Sequence, residues 1–243
     1  MVAAFKQNGL FRGLQNDLSR FNACVGNNGG PYDLYDYAWR YFEGTRLLLI
    51  DAKVPGATID VLVYPICFNF RHAVELYIKY IIADLGRVKG TGQQYRTGHT
   101  LLRNWRKAEK LLGAIDYTAE DAALFEQVVA HIEEVDPTGQ TFRYPESIKY
   151  DQHLKDWPSI NLAVLEHNYT RLFAVAKDWQ YRIDAVVDRA AQDGTLAPPY
   201  RRPPDKNALV GHWHFFIYRT KNAGLRAWNF FSPNSRKTSG ISR

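Results

Sequence analysis

Phe70-Arg71-His72-Ala73-Val74-Glu75-Leu76-Tyr77-Ile78-Lys79-Tyr80 is the stretch from which the fold can be read. At about 100° per residue, with Arg71 at zero, Glu75 falls near about 40°, Lys79 near about 80° and His72 near about 100°. Phe70, Val74, Tyr77, Ile78 and Ile81 lie outside that polar sector. The segment from Ile66 onward therefore predicts a helix apolar enough to be central, with one polar face. Two accounts of that face stand side by side. It is either a solvated ladder of charge pairs, each worth a few tenths of a kcal/mol, or a cluster lining a cleft or a dimer seam.

Working outward, Val54-Pro55-Gly56 separates this helix from an earlier one. Thr58 or Asp60 is its expected cap, and Pro65 predicts a kink or restart inside Ile59 to Leu85. The earlier helix is expected from Pro31 to Ala52, with Leu34, Tyr37, Tyr41 and Leu48 at helical spacing. Residues 1–30 are weakly patterned and end in a Gly/Asn loop. Downstream, Gly86, Gly90, Gly92 and Gly98 predict a flexible connection, and His99-Thr100 opens a helix ended by Gly113. Its apolar positions are Leu101, Leu102, Trp105, Ala108 and Leu112.

Thr118 with Asp121 resembles a capping box for a helix that runs to Val135, where Asp136-Pro137-Thr138-Gly139 stops it. Glu133, Glu134 and Asp136 read as a solvated helix end. Residues 141–158 read as irregular. Ser159 begins a long helix to Gly194, with Leu162, Leu165, Tyr169, Leu172, Ala176, Trp179, Ile183, Val186 and Ala190 on one face. Five amphipathic helices with short links and no alternating strand pattern predict an all-α helical bundle over residues 31–194. A Pro-rich linker, 195–208, leads to a basic aromatic extension, 209–243, where Leu209 to Arg219 and Leu225 to Phe231 suit a β-hairpin.

Composition bounds the function. At 243 residues and 46% hydrophobic, the chain can bury a substantial core. No apolar run approaches the roughly 18 residues of a membrane span. The start of the chain lacks the pattern of a secretory signal, so a cytoplasmic location is expected. Two cysteines, Cys24 and Cys67, exclude a disulfide framework. The net charge of +6 divides unevenly: residues 196–243 carry +8 and the remainder −2. A near-neutral body with a basic, aromatic terminus reads as a scaffold plus an interaction segment.

The strings FRHAVELYIKYI, GHTLLRNW after a Gly-rich gap, and FRYPES before a long final helix resemble the bacterial HEPN-like proteins over about residues 34 to 190. The resemblance implies a helical bundle that often dimerises. In many members it implies a metal-independent ribonuclease of toxin, antiphage or RNA-processing systems, in which an Arg and a His four to six residues apart assist attack of the ribose 2′-OH. That spacing is absent here. The nearest forms are Arg71-His72, Arg96 to His99, and Arg143 to His153 across Pro145. Arg71, His72 and His99 are accordingly the candidates nearest the chemistry, with His as general acid or base and Arg as the group facing developing phosphorane charge.

Glu75, Lys79, Arg103, Arg143, Arg201 and Arg202 are the candidate RNA-contacting residues. Arg143, between Phe142 and Tyr144, suits stacking together with a bidentate hold on a carboxylate such as Glu75, or on a phosphate. Arg103 and Arg106 together read as a solvated face with Trp105 as its one aromatic anchor. Arg201 and Arg202 open a tail whose cations alternate with Tyr200, Trp213, Phe215 and Trp228, a pattern suited to single-stranded nucleic acid. His212 and His214 would project to one side of a strand, but lack a Cys, Asp or Glu to complete a metal set. No phosphate-binding glycine loop occurs, and neither cofactor nor metal is expected. The rival reading is a non-catalytic dimeric module that docks a companion protein through residues 209–231.

Overall fold

A computed structural model describes residues 8–26, 32–91, 95 and 99–198. Residues 199–243, which hold most of the Pro-rich linker and all of the aromatic extension with its expected hairpin, Arg201, Arg202, His212 and His214, lie outside the described residues. Among the described residues the fold is all-α, with five helices: α1 (Leu34–Asp51), α2 (Ile59–Val88), α3 (Leu101–Leu112), α4 (Ala119–Val135) and α5 (Leu162–Gln192). None is long and apolar enough to cross a membrane.

Local chemistry fixes the boundaries. Asp33 and Asp36 form a reciprocal capping box, so α1 starts at Leu34, three residues after Pro31. Thr118 accepts from the Asp121 amide at the start of α4. Asn161 accepts from the amides of Ala163 and Val164, which places the start of α5 beyond the expected Ser159. The expected restart at Pro65 does not break α2, which is one helix through that position. Val61, whose carbonyl loses its partner there, is exposed, so water can satisfy it.

α2 is the axis of the bundle. Tyr35 meets Tyr80 and Tyr41 meets His72, so α1 runs antiparallel to it. The Tyr77 hydroxyl donates to the Ala176 carbonyl at 2.7 Å, while Phe70 packs on Tyr169, so α5 runs parallel to it. α3 is parallel to α2 as well: His99 lies beside Glu75, and Lys89 lies beside Gly113 at the other end. Two parallel neighbours in sequence demand a return of about 20 Å at 1.5 Å per residue, which residues 89–100 supply. The links are therefore not all short, because this crossover and the 136–161 connection are long.

The core is aromatic. Phe125 stacks on Trp105 at 4.7 Å and on Trp179 at 5.5 Å between centroids, and Tyr77 closes the group at 5.8 Å from Phe125. On α1 the fully buried stripe is Ala38, Phe42, Thr45 and Leu49. The expected apolar set is rotated off this stripe: Tyr37 is half exposed, and Leu34, Tyr41 and Leu48 are only partly covered. Removing the Phe125 ring by Phe125→Ala should cost about 3–5 kcal/mol, and removing the α5 cap by Asn161→Ala about 1 kcal/mol. Urea unfolding midpoints check both, and their order is the stronger test.

Candidate functional site

The polar row of α2 is neither a solvated ladder nor an open cleft lining. Arg71, Glu75 and Lys79 are 3%, 2% and 8% exposed. Arg71 Nη1 donates to Glu75 Oε2 at 2.7 Å, and Lys79 Nζ donates to Glu75 Oε1 at 2.6 Å. The i, i+4 spacing that suits a surface ladder here builds an ionic trio inside the protein. Two other segments complete it. Arg71 Nη2 donates to the His99 carbonyl at 2.8 Å, and Arg71 Nε lies 3.0 Å from Asp136 Oδ2 and donates to the Asp136 carbonyl at 3.2 Å.

Asp136 corrects the reading of α4's end as solvated. It is almost wholly buried, and its Oδ1 accepts from the amides of Gln140 and Thr141. Glu133 is also engaged, accepting from the Leu101 amide at 2.8 Å and so capping α3 from α4. Gly139 shows how closely the turn wraps the guanidinium. Its φ is +75°, and a Cβ there would stand 3.1 Å from Arg71 Cζ. The sequence signal for this turn was the Asp-Pro-Thr-Gly string, which marks a turn but not what the turn encloses.

His99 sits at the rim. Its side chain is half exposed, and Nδ1 lies 3.2 Å from both oxygens of Glu75. Burial pushes the Glu75 carboxyl up, but Lys79, Arg71 and His99 together hold it at about 2, well below its ordinary 4.5. The carboxylate is thus ionised throughout the neutral range and favours a proton on the near nitrogen of His99, leaving Nε2 as the outward one. Tyr95, which the sequence did not single out, places its ring 5.6 Å from Lys79 Nζ.

The other candidates separate from this cluster. His72 stacks on Phe68 and meets the Tyr41 ring edge-on at 4.5 Å. Burial lowers its pKa, so the neutral ring is favoured there. Arg143 does not hold Glu75. Its Nε donates to the Gly139 carbonyl at 2.8 Å, and its guanidinium lies over Phe68 and Tyr144. Arg103 is exposed on α3, one turn beyond His99. A cleft of about 500 Å³ between Tyr37 of α1 and Leu76, Tyr80 and Ala83 of α2 is lined by none of the candidate residues.

Compared with known proteins, the chain matches no family model, no curated protein and no solved structure.

Two outcomes test the cluster. Because the Glu75 carboxyl is held below 4.5, its stabilisation is present above pH 4.5 and is lost as pH falls from there toward about 2. That contribution is about 3 kcal/mol at neutral pH. The stability gap between the native protein and Glu75→Gln should therefore close with acidification over that window, read from urea midpoints. Gly139→Ala should cost roughly 1–3 kcal/mol through left-handed backbone strain and displacement of Arg71.

Proposed function

We propose that this chain is a HEPN-like, RNA-directed protein of a toxin or antiphage defence system, and that His99 is the acid–base group of a metal-independent ribonuclease site in a homodimer. The observation that carries this reading is the pairing of a half-exposed imidazole with a buried, ionised carboxylate, Nδ1 at 3.2 Å from Glu75. In that pairing the outward Nε2 accepts the proton of a ribose 2′-OH as the oxygen attacks the adjacent phosphorus. Glu75 balances the imidazolium that forms. The proton then passes to the departing 5′-oxygen, giving a 2′,3′-cyclic phosphate and a free 5′-OH. Proton transfer by a positioned side chain is worth about 10²–10⁴ in rate.

Arg71 takes a different part in this proposal from the one its sequence position suggests. Its guanidinium is committed to Glu75, Asp136 and the His99 carbonyl, so it positions His99 and does not touch substrate. His72, held between two rings, is likewise outside the chemistry.

A second reading, a non-catalytic assembly module that docks a companion protein, draws its support from the same Arg71. With that cation consumed internally, no arginine of α2 near His99 is available to meet phosphorane charge. Incubation of the full chain with total RNA separates the two. The ribonuclease reading expects His99→Ala to lose cleavage by about 10²-fold or more, with His72→Ala retaining it and a cyclic-phosphate product end. Equal cleavage in all three proteins, or none in the native chain, leaves the assembly reading.

A further inference from the structure

α3 presents a row of cations to solvent. Arg103, Arg106 and Lys110 are exposed, whereas Leu101, Trp105, Ala108 and Leu112 on the other side are buried. At about 100° per residue the three cations fall within an arc of about 60°. Glu109, the one acid of α3, is half-buried and lies about 60° beyond Arg106, at the edge of the row and not within it. Among the described residues, Arg103, Arg106 and Lys110 are in no ion pair. Lys89, at the end of α2, adds a further exposed cation beside Gly113. The row begins one turn after His99.

We infer that this face of α3 is the docking track for a single-stranded RNA backbone, which it delivers to His99. The inference rests on the RNA reading above and names the surface that binds. Arg103 to Lys110 rises about 10 Å, long enough for its cations to lie along consecutive phosphates of one strand. An acidic protein surface is the competing partner for such a row. Protein partners, however, are anchored by large apolar or aromatic side chains within the patch. None of the large apolar side chains exposed among the described residues lies on α3. Charge without an apolar anchor fits a phosphate backbone, where neutralisation and counterion release supply the affinity.

Fluorescence anisotropy with a labelled single-stranded RNA oligonucleotide of mixed sequence, across a salt series, tests the inference on the full chain. The combined variant Arg103→Gln, Arg106→Gln, Lys110→Gln should bind about tenfold or more weakly at low salt. The slope of log affinity against log salt should shrink by about 2, three phosphate contacts being lost. A charge-matched control, Lys149→Gln, Lys155→Gln, Arg171→Gln, should keep native affinity and slope, with far-UV circular dichroism showing both variants folded. Native affinity in the α3 variant, or an equal loss in the control, overturns the α3 track while leaving RNA binding itself standing. Absence of RNA binding by the native chain at low salt overturns both.

Discussion

One buried carboxylate organises this protein. Glu75 lies at the centre of the bundle's axial helix with a guanidinium on one oxygen and an ammonium on the other. Taking three charged groups out of water costs several kcal/mol per ion, and a packed apolar trio could hold α2 as firmly. What the ionic trio adds is direction. The unused donors of Arg71 reach the His99 carbonyl and Asp136, so one side chain joins the axial helix, the approach to α3 and the turn after α4. Those segments are 28 and 65 residues from Arg71 in the chain. Their mutual placement depends on every member of the network keeping its partner.

The consequence for function runs through His99. The polar row is spent inside the protein, so the surface receives a single imidazole whose orientation is dictated from below. This resembles the way a buried carboxylate fixes a catalytic histidine's tautomer in other acid–base sites. The α3 helix, held at its start by Glu133 as well as by the Arg71 contact, then carries its exposed cations away from that imidazole along a defined line. In the RNA reading, chemistry and binding are thus successive parts of one helix approach, and the buried trio is the support beneath both.

The architecture was legible in the sequence because its signals are local. Gly113, Thr118 with Asp121, and the Asp136-Pro137 stop each bound a helix to within a residue of where it lies. The α1 face was less legible, since Tyr37, Tyr41 and Leu48 offer an apolar stripe beside the true one of Ala38, Phe42 and Leu49. Burial of Thr45, whose hydroxyl is satisfied by the Tyr41 carbonyl, broke the hydrophobic cue. The site was half legible. The i, i+4 ladder of Arg71, Glu75 and Lys79 is visible from spacing alone. Its enclosure is not, because Asp136 and Gly139 come from a turn 65 or more residues away and angular position cannot show what packs over a helix. His72 illustrates the converse: it shares an angular sector with Lys79, yet two turns separate them, and α1 covers the His72 level with Tyr41.

The tautomer of His99 tests this arrangement most directly. Long-range ¹H–¹⁵N correlation spectra of the imidazole, recorded at a pH where the ring is neutral, distinguish a proton on Nδ1 from one on Nε2. With Glu75 seated beneath the ring, the proton is expected on Nδ1, and Glu75→Ala should return His99 to the Nε2-protonated form that predominates in free imidazole side chains. An Nε2 proton in the native protein, unchanged on removal of Glu75, would contradict a carboxylate-held His99 and with it the central role given to Glu75.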